Sequence, residues 1–118
     1  MDMQLSMIKD LLNAEVLCNE DMLCMETFSA FASDLMSDVL ALSCKETILI
    51  TGLTNIQTIR TAEMLDIKCI IFVRNKKPDN NVIQFAKEKG ICLLATSYTM
   101  FTTCGILYCN GIKGADMC

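Results

Sequence analysis

The 118-residue sequence has no histidine, one proline and five glycines. Without His, the chain lacks the side chain that most readily exchanges protons near neutral pH, so acid–base catalysis loses its usual agent. So little Pro and Gly, in a chain that is 53% hydrophobic, excludes collagen-like and disordered polymers. Long apolar runs are missing too. The densest, 69–73 and 91–95, fall well short of the roughly 18 residues that a membrane helix needs, so no membrane association is expected. Neither a G-x-x-x-x-G-K-[ST] loop nor a G-x-G-x-x-G turn occurs. Nucleotide transfer and dinucleotide redox chemistry thereby lose their common phosphate cradles.

Eight cysteines are present, but no C-x2-C pair: the spacings are Cys18-x5-Cys24, Cys104-x4-Cys109 and Cys109-x8-Cys118. Zinc ribbons and iron–sulfur sites need closer sets, so no metal and no cofactor is expected. Met1-Asp2-Met3-Gln4-Leu5 has neither the basic nor the apolar stretch of a secretory leader. A cytoplasmic protein with reduced thiols is the expectation. Cys69 and Cys92 lie inside apolar runs and read as small core residues.

Formal charge is −4, which opposes nucleic-acid binding. It is unevenly spread. Residues 1–44 carry one Lys against eight acids, and residues 45–118 carry nine bases against six. Two solvated faces of opposite sign would account for this. So would an anionic ligand or acidic partner at the later segment. A chain of this length buries roughly two-thirds of its unfolded surface, and so apolar a composition points to self-association.

Leu5, Ile8 and Leu12 recur at helical spacing, predicting a helix over 3–12 that stops at Asn13. Residues 15–24 suggest a short strand and turn, and 27–32 a strand. Ser33 or Asp34 is placed to cap a helix running to Leu42, with Leu35, Met36, Val39 and Leu40 buried. Next comes a strand over 47–51, then Gly52 and a helix from Asn55 with Ile56, Ile59, Ala62 and Leu65 spaced by three. A strand follows over 69–73. Pro78 and Asp79 open a helix that Gly90 ends. Residues 91–95 form a third strand, and Thr99 caps a last helix carrying Met100, Cys104 and Leu107 and ending at Gly111.

Strand–helix alternation with continuously apolar strands predicts one α/β domain over 1–118. It would have three layers, α/β/α, around a largely parallel sheet of four to five strands. Ligands of such sheets bind beyond the carboxyl ends of the strands, where helix N-termini bring unpaired N–H groups together. Here those ends carry Thr51, Gly52, Thr54 and Asn55, then Arg74 and Lys76, then Thr96, Ser97 and Thr99, with Ser33 and Asp34 joining them. Gly52 allows close backbone approach, the hydroxyls and Asn55 hydrogen-bond, and Arg74 and Lys76 offset negative charge. Strand-to-helix loops are polar in any case, because they cap helices and face water. Asp34 and Asp38, four apart, could grip a metal–phosphate or serve as cap and surface residue. Arg60 reads as a surface ion-pair residue or as one reaching back to the rim.

Three stretches carry a family resemblance: Phe31-Ala32-Ser33-Asp34-Leu35-Met36-Ser37-Asp38, Ile50-Thr51-Gly52-Leu53-Thr54-Asn55, and the run 95–103 with its threonine-rich helix start. They resemble the DRTGG domain family, over roughly residues 3–114. That resemblance implies similarity to the N-terminal domain of HPr kinase/phosphorylase and to modules inside phosphotransacetylases and CBS-containing pyrophosphatases. It implies a regulatory or assembly unit, often at a dimer interface, and not an enzyme, because the phosphate-binding loop of that kinase lies in another domain. This chain looks like a free-standing version, and the family's company implies a protein partner in anaerobic metabolism. The resulting expectation is a non-catalytic sensory domain that dimerises and binds a small anionic ligand such as an adenine nucleotide. The alternatives are a protein-interaction or scaffold subunit of a larger metabolic or redox complex, and a small enzyme or redox carrier.

Overall fold

A computed structural model describes residues 3–43 and 48–114. Expectations that fall on Met1, Asp2, Thr47 and Cys118 lie outside the described residues. The elements follow in chain order as β1 (Met3–Gln4), α1 (Leu5–Leu11), β2 (Glu15–Cys18), a 3-10 turn (Glu20–Cys24), β3 (Glu26–Thr27), β4 (Ala30–Ala32) and α2 (Met36–Leu42). Then come β5 (Ile48–Thr51), α3 (Ile56–Met64), β6 (Cys69–Phe72), α4 (Asn80–Glu88), β7 (Cys92–Ala95) and α5 (Met100–Cys109).

Five strands form one sheet in the order β2-β7-β6-β5-β4. Strands β4 to β7 are parallel, and β2 joins antiparallel at the β7 edge. Alternation along each strand sends side chains to opposite faces. Ile48, Ile50, Cys69, Ile71, Cys92 and Leu94 pack with Leu5, Ile8 and Leu12 from the α1 region and with Leu107 of α5. Leu49, Ile70, Phe72 and Leu93 pack with Met36 and Val39 of α2, Ile59 and Ala62 of α3, and Val82 and Ala86 of α4. Both sheet faces are therefore covered, which is why these strands read as unbroken apolar runs. The architecture is the expected three-layer α/β/α.

Three predicted helix starts stand as expected, with their caps. Asn55 accepts from Thr58 N–H at 3.3 Å, Asp79 from Val82 N–H at 3.1 Å, and Thr99 from Thr102 N–H at 3.4 Å. Gly90 and Gly111 take positive φ just past their helices.

Several local expectations are corrected. Met3 and Gln4 belong to β1, not to the first helix. The run 27–32 is broken because the chain changes neighbours. Thr27 pairs with Met3, Ser29 bridges to Lys113, and only Ala30–Ala32 joins the main sheet beside β5. Leu35 and Leu40 are 56% and 40% exposed. A two-turn helix presents one narrow stripe to the sheet, and Met36 and Val39 fill it.

Candidate functional site

Parallel pairing in register brings the trailing turns of β4, β5, β6 and β7 to one end of the sheet. Main-chain bonds then lace these turns together. Ser33 N–H donates to Ile50 O at 3.0 Å, Val73 N–H to Thr51 O at 3.1 Å, Asn75 N–H to Thr96 O at 2.9 Å, and Arg74 N–H to Tyr98 O at 2.8 Å. The expected rim of strand ends therefore exists.

Its best-connected part centres on Gly52. Gly52 N–H donates to Asp34 Oδ1 at 2.6 Å, and the Thr51 hydroxyl donates to the same oxygen at 3.1 Å. The other carboxylate oxygen lies 3.7 Å from Arg74 Nη2. Asp34 is thus not the cap of α2. Leu35 occupies the N-cap position with no side-chain bond, and Ser33 Oγ accepts the Leu35 N–H at 3.0 Å and donates to Leu35 O at 3.5 Å. A carboxylate one residue before the cap reaches the neighbouring turn instead.

Glycine at 52 leaves room for the Arg74 side chain, which a larger residue would push aside. A Cβ there would fall on the guanidinium of Arg74, which lies across the glycine backbone. Arg74 and Asn75 both occupy the left-handed region, with φ of 59° and 58°. Asn tolerates this region and Arg does so at a cost. The bonds to Tyr98 O and Thr96 O hold both residues there. Strain held by two neighbouring turns aims the Arg74 side chain over Gly52.

The other candidates divide into two groups. Thr51 and Thr96 are buried, and their hydroxyls are engaged within the protein. Thr51 Oγ1 also accepts Leu53 N–H at 3.1 Å, while Thr96 donates to Leu12 O at 2.7 Å and accepts Tyr98 N–H at 3.3 Å. Thr54, Asn55, Lys76, Ser97 and Thr99 lie on the same loops with partly or fully exposed side chains. Among the described residues, no hydrogen bond or ion pair ties them to the Asp34–Gly52–Arg74 cluster. Arg60 does not reach the rim: its guanidinium sits 5.9 Å from the Phe85 ring centroid. Asp34 and Asp38 gather no third metal-ligating side chain among the described residues. Sequence reasoning passed over Asn75 and Tyr98, which fix the Arg74 backbone. The Asn75 signal was available, since Asn in the turn that follows a buried strand favours a left-handed conformation.

The described cysteines are all thiols. Burial raises the Cys104 thiol above its ordinary value, and burial outweighs the other influences in raising Cys18. Cys69 is raised by its hydrogen bond with Cys92 and by burial. An apolar groove of about 170 Å³ lies apart from the Arg74 cluster, between α5 and the β4–β5 edge, lined by Ala30, Ala32, Ile50, Cys104, Leu107 and Tyr108 among others. Above it, α5 has no charged residue and leaves Phe101 and Tyr108 88% and 72% exposed.

The sequence pattern of the DRTGG domain matches residues 7–108. The chain belongs to the DRTGG domain family. No curated protein matches it at the sequence level. Its fold is similar to the crystal structure of the CBS and DRTGG domains of the regulatory region of Clostridium perfringens pyrophosphatase, complexed with the activator diadenosine tetraphosphate. That likeness has a TM-score of 0.73 at 20% identity and covers 88% of this chain. This DRTGG chain spans 45% of that one, so less than half of the larger regulatory assembly is represented. The literal pentapeptide Asp-Arg-Thr-Gly-Gly does not occur here. No helix among the described residues is long and apolar enough to cross a membrane.

Proposed function

We propose that residues 1–118 act as one non-catalytic DRTGG regulatory module, cytoplasmic and homodimeric, that binds a small anionic ligand at the strand-end rim. One observation carries this reading: Arg74, held in left-handed backbone, lies across Gly52, whose N–H already holds an oxyanion. Backbone amide plus guanidinium is a standard anion receptor. In this reading Gly52 and Arg74 form its centre. Ser33, Thr51 and Thr96 brace the loops, and Asp34 lines the centre. Lys76, Ser97, Thr99, Thr54 and Asn55 add polar contacts around it. An adenine nucleotide is the favoured ligand. The diadenosine tetraphosphate of the similar pyrophosphatase regulatory region supports that class. Melting curves with a panel of adenine nucleotides and acyl phosphates test it, since a ligand that binds only the folded state raises Tm. A panel without any shift at millimolar concentration rejects it.

A second reading has its own observation. The uncharged α5 face, with Phe101 and Tyr108 exposed, suits a subunit that docks on another protein of a metabolic or redox complex. A stoichiometric partner recovered from the native organism, with no ligand shift, favours that reading.

A further inference from the structure

We infer that Asp34 is a resident competitor for the rim: its carboxylate holds the position that a phosphoryl group of the ligand would take, and ligand binding displaces it. The inference rests on the reading of the rim as a ligand site and adds the chemical class of the group bound there.

The geometry around Asp34 is unbalanced. Oδ1 is well used, with Gly52 N–H at 2.6 Å and the Thr51 hydroxyl at 3.1 Å. Oδ2 is poorly used, because Arg74 Nη2 stands 3.7 Å away, at ionic but not hydrogen-bond distance. The guanidinium has five N–H donors in a rigid fork. Among the described residues none of them makes a hydrogen bond to a protein group, and the side chain is about half exposed. A carboxylate anchored on Gly52 is thus too short to serve the fork as well. A tetrahedral phosphoryl group has more oxygens, spread more widely. One can take the Gly52 N–H while others accept from Arg74 in the bidentate manner that guanidinium favours. The exchange replaces a half-made pairing with a full one.

Displacement is also mechanically cheap. Asp34 carries no capping bond to α2, so its side chain rotates outward without unpinning that helix. It is 51% exposed, so water receives it. If it stayed, its charge would repel the incoming phosphoryl oxygens. Asp34 therefore sets a threshold: weak monoanions fail to displace it, and di- and polyphosphates succeed.

The test is calorimetric titration of wild type and Asp34→Asn with inorganic pyrophosphate and ATP at constant ionic strength. Asn keeps the size and an acceptor oxygen but not the charge. Binding about three- to tenfold tighter in Asp34→Asn is expected, the size of one weakened charged hydrogen bond. Arg74→Gln should abolish binding in both backgrounds. Unchanged or weaker binding in Asp34→Asn, with wild type still binding, overturns this inference alone and makes Asp34 a positioning residue for Arg74. No binding by either protein removes the ligand reading itself. NMR of wild type needs no variant to fold: the Gly52 amide and the Asp34 carboxyl carbon should shift together as pyrophosphate is added. A Gly52 shift without an Asp34 shift overturns the inference.

Discussion

The Arg74 amide donates to the Tyr98 carbonyl at 2.8 Å while Arg74 itself sits at φ 59°. The turn after β7 therefore holds the turn after β6 in a conformation that Arg does not favour. Arg74→Gly separates fold from function. Glycine relieves left-handed crowding of about 1–2 kcal/mol but adds unfolded-state freedom of about 0.5–1 kcal/mol. Urea unfolding should place the variant within about 1 kcal/mol of wild type. Any rim affinity for nucleotides should vanish.

Thr96→Val tests the hidden bracing of the rim. The hydroxyl donates to Leu12 O at 2.7 Å in a buried setting. Valine keeps the shape and leaves that carbonyl without this donor. The expected loss is about 1–3 kcal/mol, read from urea midpoints. A loss under a few tenths would mean that water reaches Leu12 O.

Asp79→Ala removes the acceptor for Val82 N–H at the start of α4. A loss of about 1 kcal/mol is expected from the missing cap. The charge of Asp79 at the positive helix end adds a small, salt-sensitive part. Unfolding at low and high salt should show a smaller difference between variant and wild type at high salt.

The buried thiols give stability a sign at alkaline pH. Cys104 and Cys18 are raised above the ordinary 9.0, with burial the main cause. A thiol held above its unfolded value keeps its proton longer in the folded protein. Its stabilising effect is complete below 9.0 and is lost as pH climbs through the folded value. Urea midpoints under reducing conditions should fall as pH rises above about 9. Cys104→Ala should flatten part of that fall.

The α5 stripe gives the dimer a test. Gly105 lies one turn from Phe101, and an added Cβ there meets nothing within 4 Å. If copies meet on this face, Phe101→Glu should yield monomers by sedimentation. Gly105→Ala should weaken association while stabilising the monomer by about 0.5–1 kcal/mol, since alanine is the better helix former. A wild-type protein that is monomeric at all concentrations removes the dimer.

Much of this fold is legible in the sequence because its strands are covered on both faces. Runs such as Cys69–Phe72 then need no alternation to declare themselves. The caps Asn55, Asp79 and Thr99 are equally local. Long-range partner choice is less legible. Nothing near Glu15 announces that β2 will lie antiparallel along β7, and nothing near Phe28 announces that the chain will leave β1 for Lys113. At the strand ends, the sequence marks loops that the parallel sheet brings together but mistakes the partner of Asp34. Its local rule, an acid before a helix, competes with a Gly52 amide 18 residues away. Arg60 shows the same limit, since only packing of α3 on α4 brings Phe85 beneath it.

Among the described residues, five that are not glycine adopt positive φ: Asn13, Asn19, Asp66, Arg74 and Asn75. Four are Asn or Asp, the residues that enter this backbone region most easily after glycine. The chain thus makes sharp reversals with side chains that restrict the denatured ensemble more than glycine would. With so few glycines, less disorder has to be surrendered on the way to the native state.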